Sequence, residues 1–90
     1  IYDSCKSIDV TKDSKYLFAT AVTKGVKIFD VQNGDEIAMI EIPGIQVKQV
    51  ELSFSDKQFV VLYEDRNRES FIRIYNTKDA IEYGKAKKTG

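Results

Sequence analysis

The chain has no histidine and no tryptophan, and only one cysteine, one proline and one methionine among 90 residues. Without histidine, the Ser-His-Asp and Cys-His nucleophile systems are absent. One cysteine cannot supply a zinc site, which draws several Cys or His ligands, and no other cofactor motif stands out. That cysteine, Cys5, has no internal disulfide partner, which fits a reducing compartment such as the cytoplasm. Charge of one sign is also lacking. Fourteen Lys and Arg balance fourteen Asp and Glu, so no net field steers the chain onto nucleic acid or an anionic membrane. No apolar run approaches the roughly 20 residues of a spanning helix, and no charged start followed by an apolar core marks a secretory signal. These absences describe a non-enzymatic, cytoplasmic protein whose function lies in its architecture and surface.

What is present is β-forming. Hydrophobic residues make up 42% and charged residues 31%, the composition of a globular domain with a small core rather than of a disordered tail. Val, Ile, Phe, Tyr and Thr fill the apolar positions, and turn residues interrupt them at short intervals. The pattern predicts strands near residues 5–10, 16–22, 26–31, 36–42, 47–53, 59–64 and 71–76. Thr11 to Lys15 reads as a polar turn, Gly25 supplies a positive φ, Asn33-Gly34 is a hairpin signal, and Pro43-Gly44 ends a strand. Strands joined so tightly form an antiparallel meander. The runs 16–22 and 59–63 are almost continuously apolar, which predicts cover on both faces. The segments 36–42 and 47–53 carry Glu36, Glu41, Lys48, Gln49 and Glu51, which suits sheet edges.

An internal repeat organises the pattern. Ile8-Asp9-Val10 matches Val50-Glu51-Leu52, and Ser14-Lys15-Tyr16-Leu17-Phe18 matches Asp56-Lys57-Gln58-Phe59-Val60, both at an offset of 42. Val26-Lys27-Ile28-Phe29-Asp30 matches Ile72-Arg73-Ile74-Tyr75-Asn76 at an offset of 46. The four extra residues fall in the charged stretch between Glu64 and Ser70. Repeats of about 40–45 residues with four strands each are the blades of a β-propeller. A single seven-stranded sandwich or barrel also fits this length, but does not require two similar halves.

The strand ends Lys27-Ile28-Phe29-Asp30 and Arg73-Ile74-Tyr75-Asn76 resemble the WD40 signature, with Phe29 and Tyr75 at its Trp position and Asp30 and Asn76 at its Asp position. The resemblance implies an all-β chain: a WD40-type β-propeller fragment of about two four-stranded antiparallel blades. Residues 1–90 then form one partial propeller domain, with repeats near 5–42 and 47–78, and 79–90 as a tail or the start of the next element. Two blades cannot close a ring, so the chain is expected to be an excerpt of a longer protein. Residues 7–78, notably 47–53 and the longer loop that follows, also resemble the second and third blades of the i-subunit family of eukaryotic translation initiation factor 3. That likeness implies a role in initiation-complex assembly on the small ribosomal subunit, with subunits b and g as protein partners. The WD40 hydrogen-bonded tetrad is missing: Ala21, Thr23 and Phe29 stand where Ser, Asp and Trp are common. A buried network rigidifies only when complete, so modest intrinsic stability is expected. A WD40 adaptor of another assembly, such as a ubiquitin ligase or trafficking coat, carries the same pattern.

Other candidate sites read as follows. The loop residues Asp65, Arg66, Asn67, Arg68 and Glu69 form either a partner-contacting insertion or a solvated hairpin loop. Cys5 reads as a small buried hydrophobe, with no histidine to activate it. Glu64 and Asp65 are adjacent in a strand, which points them to opposite faces and prevents a shared proton or metal. Tyr83 with Lys85, Lys87 and Lys88 has the ingredients of RNA contact, yet three lysines at a terminus of a neutral chain supply little clustered charge. Residues 79–83 read as a short helical turn capped by Asp79.

Overall fold

The computed structural model describes residues 4–42 and 46–89, with side chains described as far as residue 86. The Pro43-Gly44 strand stop lies outside the described residues. Among the described residues, seven strands precede one helix: β1 (Ile8–Val10), β2 (Tyr16–Ala21), β3 (Gly25–Asp30), β4 (Glu36–Glu41), β5 (Gln46–Leu52), β6 (Gln58–Glu64), β7 (Ser70–Asn76) and α1 (Thr77–Thr89). All strand pairs are antiparallel, in a four-stranded sheet ordered β1-β2-β3-β4 and a three-stranded sheet ordered β5-β6-β7. The charged segments β4 and β5 are indeed edge strands. β1 is shorter than its apolar pattern because Thr20 Oγ1 intercepts the backbone N–H groups of Lys6 and Ser7, at 2.9 and 3.0 Å.

The two sheets repeat one ladder. Ile8 faces Ala19 and Val10 faces Leu17 in the first sheet; Val50 faces Val61 and Leu52 faces Phe59 in the second, each displaced by 42. Tyr16 faces Asp30 and Phe18 faces Ile28; Gln58 faces Asn76 and Val60 faces Ile74, displaced by 42 on one strand and 46 on the other. The turns repeat as well. Ser14 N donates to Thr11 O and Thr11 N to Tyr16 O; Asp56 N donates to Ser53 O and Ser53 N to Gln58 O. Ser14 and Asp56 share a left-handed φ of 61°, a conformation that short polar side chains tolerate.

The sheets stack face to face. Phe18, Val26, Ile28, Ala38 and Ile40 project from the first sheet, and Val47, Val50, Phe59 and Val61 from the second, into one buried cluster. At its centre the Phe18 and Phe59 rings lie 4.9 Å apart and inclined by 54°, and Tyr75 stacks on Phe59 at 5.1 Å. Polar ties fix the register of this contact. Ser7 Oγ donates to Val50 O at 3.2 Å and accepts from Val50 N at 3.3 Å, Asp9 Oδ2 accepts from Leu52 N at 2.7 Å, and Val47 N donates to Val22 O at 2.8 Å. The free edge of β5 is thereby met by the Ser7 and Asp9 side chains and the Val22 carbonyl rather than by a fourth ladder. Cover on both faces is met on one face only. Phe59 and Val61 are buried, but on the opposite face Ile72 and Ile74 are exposed, because no described element packs there.

Among the described residues the second sheet has three strands where four were expected, and the two repeats diverge at one turn. Asp30 and Asn76 are repeat equivalents, and the side chain of each accepts an N–H three residues on, from Asn33 at 3.4 Å and from Asp79 at 3.0 Å. Both therefore start a helical turn. In the first repeat Gly34, at a φ of 78°, ends that turn after one α-type bond to Asp30 O, and β4 follows. The equivalent residue in the second repeat is Ala80, the best helix former, and the turn runs on into α1. The cap is thus Asn76 rather than Asp79, which lies in the first turn at the positive end of the helix dipole. Thr77, Ala80, Ile81 and Gly84 are buried at helical spacing, and α1 lies along β4. A Cβ on Gly84 would sit 2.1 Å from Ala38 Cβ and 2.6 Å from its Cα.

Two outcomes follow for stability. Gly84→Ala gains helix propensity but must push α1 off β4, so the urea midpoint should fall, by roughly 1–3 kcal/mol of stability; an unchanged midpoint would show that the contact gives way freely. Ser7→Ala leaves the N–H and C=O of Val50 without their partner and should cost about 1–3 kcal/mol in the same measurement, whereas a loss below ~0.5 kcal/mol would mean the tie contributes nothing.

Candidate functional site

The residues singled out by sequence divide between core and rim. Ile28 is fully buried in the inter-sheet contact, while Phe29 and Tyr75 are half-buried on the equivalent outer and inner faces of their sheets. Lys27 reaches Glu36 across the β3–β4 pair at 3.6 Å, a partly exposed pair whose contribution is small. Arg73 is exposed, with its guanidinium 5.6 Å from the centre of the Tyr63 ring, and hydrogen bonding to the phenol oxygens of Tyr75 and Tyr63 holds its pKa above the ordinary arginine value. Ile74 points to the open face, and Asp30 and Asn76 cap turns. These eight signature residues are structural in every contact described.

The charged loop is a folded turn. Asp65 Oδ1 accepts N–H groups from Asn67 at 2.8 Å and Glu69 at 3.0 Å, Asp65 N donates to Glu69 O at 3.0 Å, and Arg68 N donates to Asp65 O at 3.1 Å. Arg68 is left-handed, with a φ of 63°. The turn projects Arg66, Arg68 and Glu69 into solvent. Glu64 does not share a site with Asp65; it pairs with Lys48 at 3.2 Å while Asp65 holds the turn. Cys5 is exposed rather than buried, because it precedes β1 and lies outside the stacked core. Its Sγ donates to Ser7 O at 3.6 Å.

Sequence inspection missed a groove where the two equivalent turns meet α1. It encloses about 590 Å³ between Thr11, Asp13 and Tyr16 of one repeat, Asp56 and Lys57 of the other, and the first turns of α1. Its walls are joined by hydrogen bonds between the repeats: Lys12 N donates to Asp56 Oδ2 at 2.7 Å, and Lys12 Nζ donates to Phe54 O while lying over the Phe54 ring. The only available signal was the offset of 42 itself, which makes Ser14 and Asp56 equivalent but does not say that the turns adjoin. The lysines of the C-terminal segment lie along α1; Lys85 lines this groove, whereas the side chains of Lys87 and Lys88 lie outside the described residues.

Chemically, the groove and loops offer hydrogen bonds and mixed charge. Among the described residues no group of three or more His, Cys, Asp and Glu is placed to hold a metal, and no helix is long and apolar enough to cross a membrane. No protein-family model matches the chain, and the comparison with curated proteins returned no match.

Asp13 gives this rim a pH dependence. The Thr11 hydroxyl donates to Asp13 Oδ1 at 2.7 Å and Lys15 N donates to it at 3.0 Å, which lowers its pKa below 3.8. A depressed carboxylate pKa contributes stability above the unfolded-state value, and that contribution is lost as pH falls through the folded-state value. Unfolding midpoints at neutral pH and below 3.8 should therefore differ less in Asp13→Asn than in the unchanged chain; an equal acid loss in both would assign the dependence to other groups.

Proposed function

We propose that the chain forms two adjoining blades of a WD40-type β-propeller and serves as a non-catalytic protein-interaction scaffold. The observation that carries this reading is the recurrence of one ladder register, at offsets of 42 and 46, in two antiparallel meanders that stack face to face. A sandwich built from unrelated strands has no reason to repeat its register, its left-handed turn residue and its capping residue together. Stacked meanders place their connecting turns along a rim, where rigid loops present side chains to other proteins. The second blade differs from the family pattern in having α1 in place of its fourth strand.

The likeness of residues 7–78 to the i-subunit family of eukaryotic translation initiation factor 3 supplies the assembly. On this reading the protein is part of that factor, contacts its b and g subunits, and acts in forming the initiation complex on the small ribosomal subunit. The turn at residues 65–69 is the contact surface, since its backbone is fixed by Asp65 and its charged side chains are free of the core.

Purified b and g subunits, titrated separately against the tagged chain, test this. Saturable binding to at least one is expected, weakened about tenfold, or ~1.4 kcal/mol, when Arg66, Arg68 and Glu69 are all changed to Ala. Absence of binding to both, with binding to ubiquitin-ligase or coat subunits instead, would replace the initiation-factor reading with an adaptor of another assembly.

A further inference from the structure

The chain holds three asparagines, Asn33, Asn67 and Asn76, and of these only Asn33 precedes a glycine. That neighbour matters chemically. A backbone nitrogen can attack the side-chain carbonyl carbon of the preceding asparagine, forming a C–N bond and expelling ammonia to leave a cyclic imide. Water then opens the imide at either of its carbonyls, giving aspartate or isoaspartate. A side chain on the following residue shields the attacking nitrogen, and Gly34 has none. Asn33 and Gly34 are both exposed, on the turn that joins β3 to β4, so water reaches the site.

The fold opposes the attack. The N–H of Gly34, which must lose its proton before the nitrogen can react, donates to Asp30 O at 2.8 Å. The Asn33 side chain is tied elsewhere, its Oδ1 accepting from Asp35 N at 2.9 Å. Asp30 holds the rest of the turn. Its Oδ1 accepts from Gln32 N at 2.9 Å and from Asn33 N at 3.4 Å, and its own N donates to Asp35 O at 2.8 Å. Reaction therefore requires the turn to open locally, at a free energy set by the bonds that Asp30 makes.

We propose that Asn33 is a modification site of this protein, deamidated spontaneously to aspartate or isoaspartate through openings of the 30–35 turn, with Asp30 as the gate. The product acts back on the fold. Isoaspartate routes the main chain through the side-chain carbon and lengthens it by one atom, which breaks the spacing of the bonds from Gly34 N to Asp30 O and from Asp30 N to Asp35 O. Aspartate adds a negative charge to a turn that already carries Asp30, Asp35 and Glu36. β4 follows this turn directly, and α1 lies along β4. The inference needs this turn alone and stands apart from the identity of any partner subunit.

Incubation at mildly alkaline pH, with and without guanidinium chloride, tests it. Mass-spectrometric peptide mapping reads each asparagine, and an isoaspartyl methyltransferase counts isoaspartate. Conversion should be fastest at Asn33, and at least about tenfold slower in the folded chain than in the denatured one. Asp30→Ala should speed the folded-state reaction severalfold, whereas Asp30→Asn, which keeps an oxygen acceptor for the cap, should retain the slow rate. If Asp30→Ala unfolds, denaturant below the unfolding transition of the unchanged chain serves instead, and conversion should accelerate before the β circular dichroism is lost. Equal rates in folded and denatured chain, faster conversion at Asn67 or Asn76, or a folded Asp30→Ala with an unchanged rate would each overturn the proposal.

Discussion

The contact between Phe18 and Phe59 is the point on which the structure turns. A sheet with one apolar face must bury it against another layer, and here each meander is the other's layer. Fully burying a residue such as Phe, Ile or Val contributes about 1.5–3 kcal/mol, and the buried cluster draws such residues from both sheets in similar number. Neither sheet keeps that contribution if the other unfolds, so the two are expected to melt together. Burial by itself is non-directional. Ser7, Asp9 and Thr20 convert it into a defined register by bonding backbone groups that an edge strand would leave to water.

Repetition with one lapse gives the molecule its asymmetry. Asp30 and Asn76 begin the same turn, and Gly34 stops it where Ala80 does not. A strand completes the first sheet, and a helix follows the second. That helix is not idle in the packing, because Ala80 and Ile81 join the core beside β4, over the part of the first sheet that a three-stranded neighbour leaves uncovered. The close approach of Gly84 to Ala38 is what lets it lie so near.

For function, the division between core and rim matters more than any single residue. Of the strand ends 27–30 and 73–76, Ile28 is buried, Lys27 pairs with Glu36 and Asp30 and Asn76 cap turns, while Arg73 and Ile74 are exposed. The turn at 65–69 is held by one carboxylate accepting two backbone N–H groups, so its charged side chains project from a fixed base. The groove at the meeting of the repeats is built from the same turn used twice. Both owe their shape to backbone bonding.

Strand positions, edge strands, the meander and the two offsets were all legible in the sequence, because β-branched and aromatic runs broken by polar turns act locally and the repeat needs only comparison along the chain. The strand ends 27–30 and 73–76 and the charged loop could be located for the same reason, but not their roles. Which face each strand buries, that Cys5 stays outside the core, and that two turns forty-two residues apart form one groove are decided by contacts between distant residues. The helix lies between these cases. The Ala80 for Gly34 exchange was visible in the chain, yet only the pairing of Asp30 with Asn76 made the two positions comparable, and only the uncovered face of β4 gave the helix somewhere to pack.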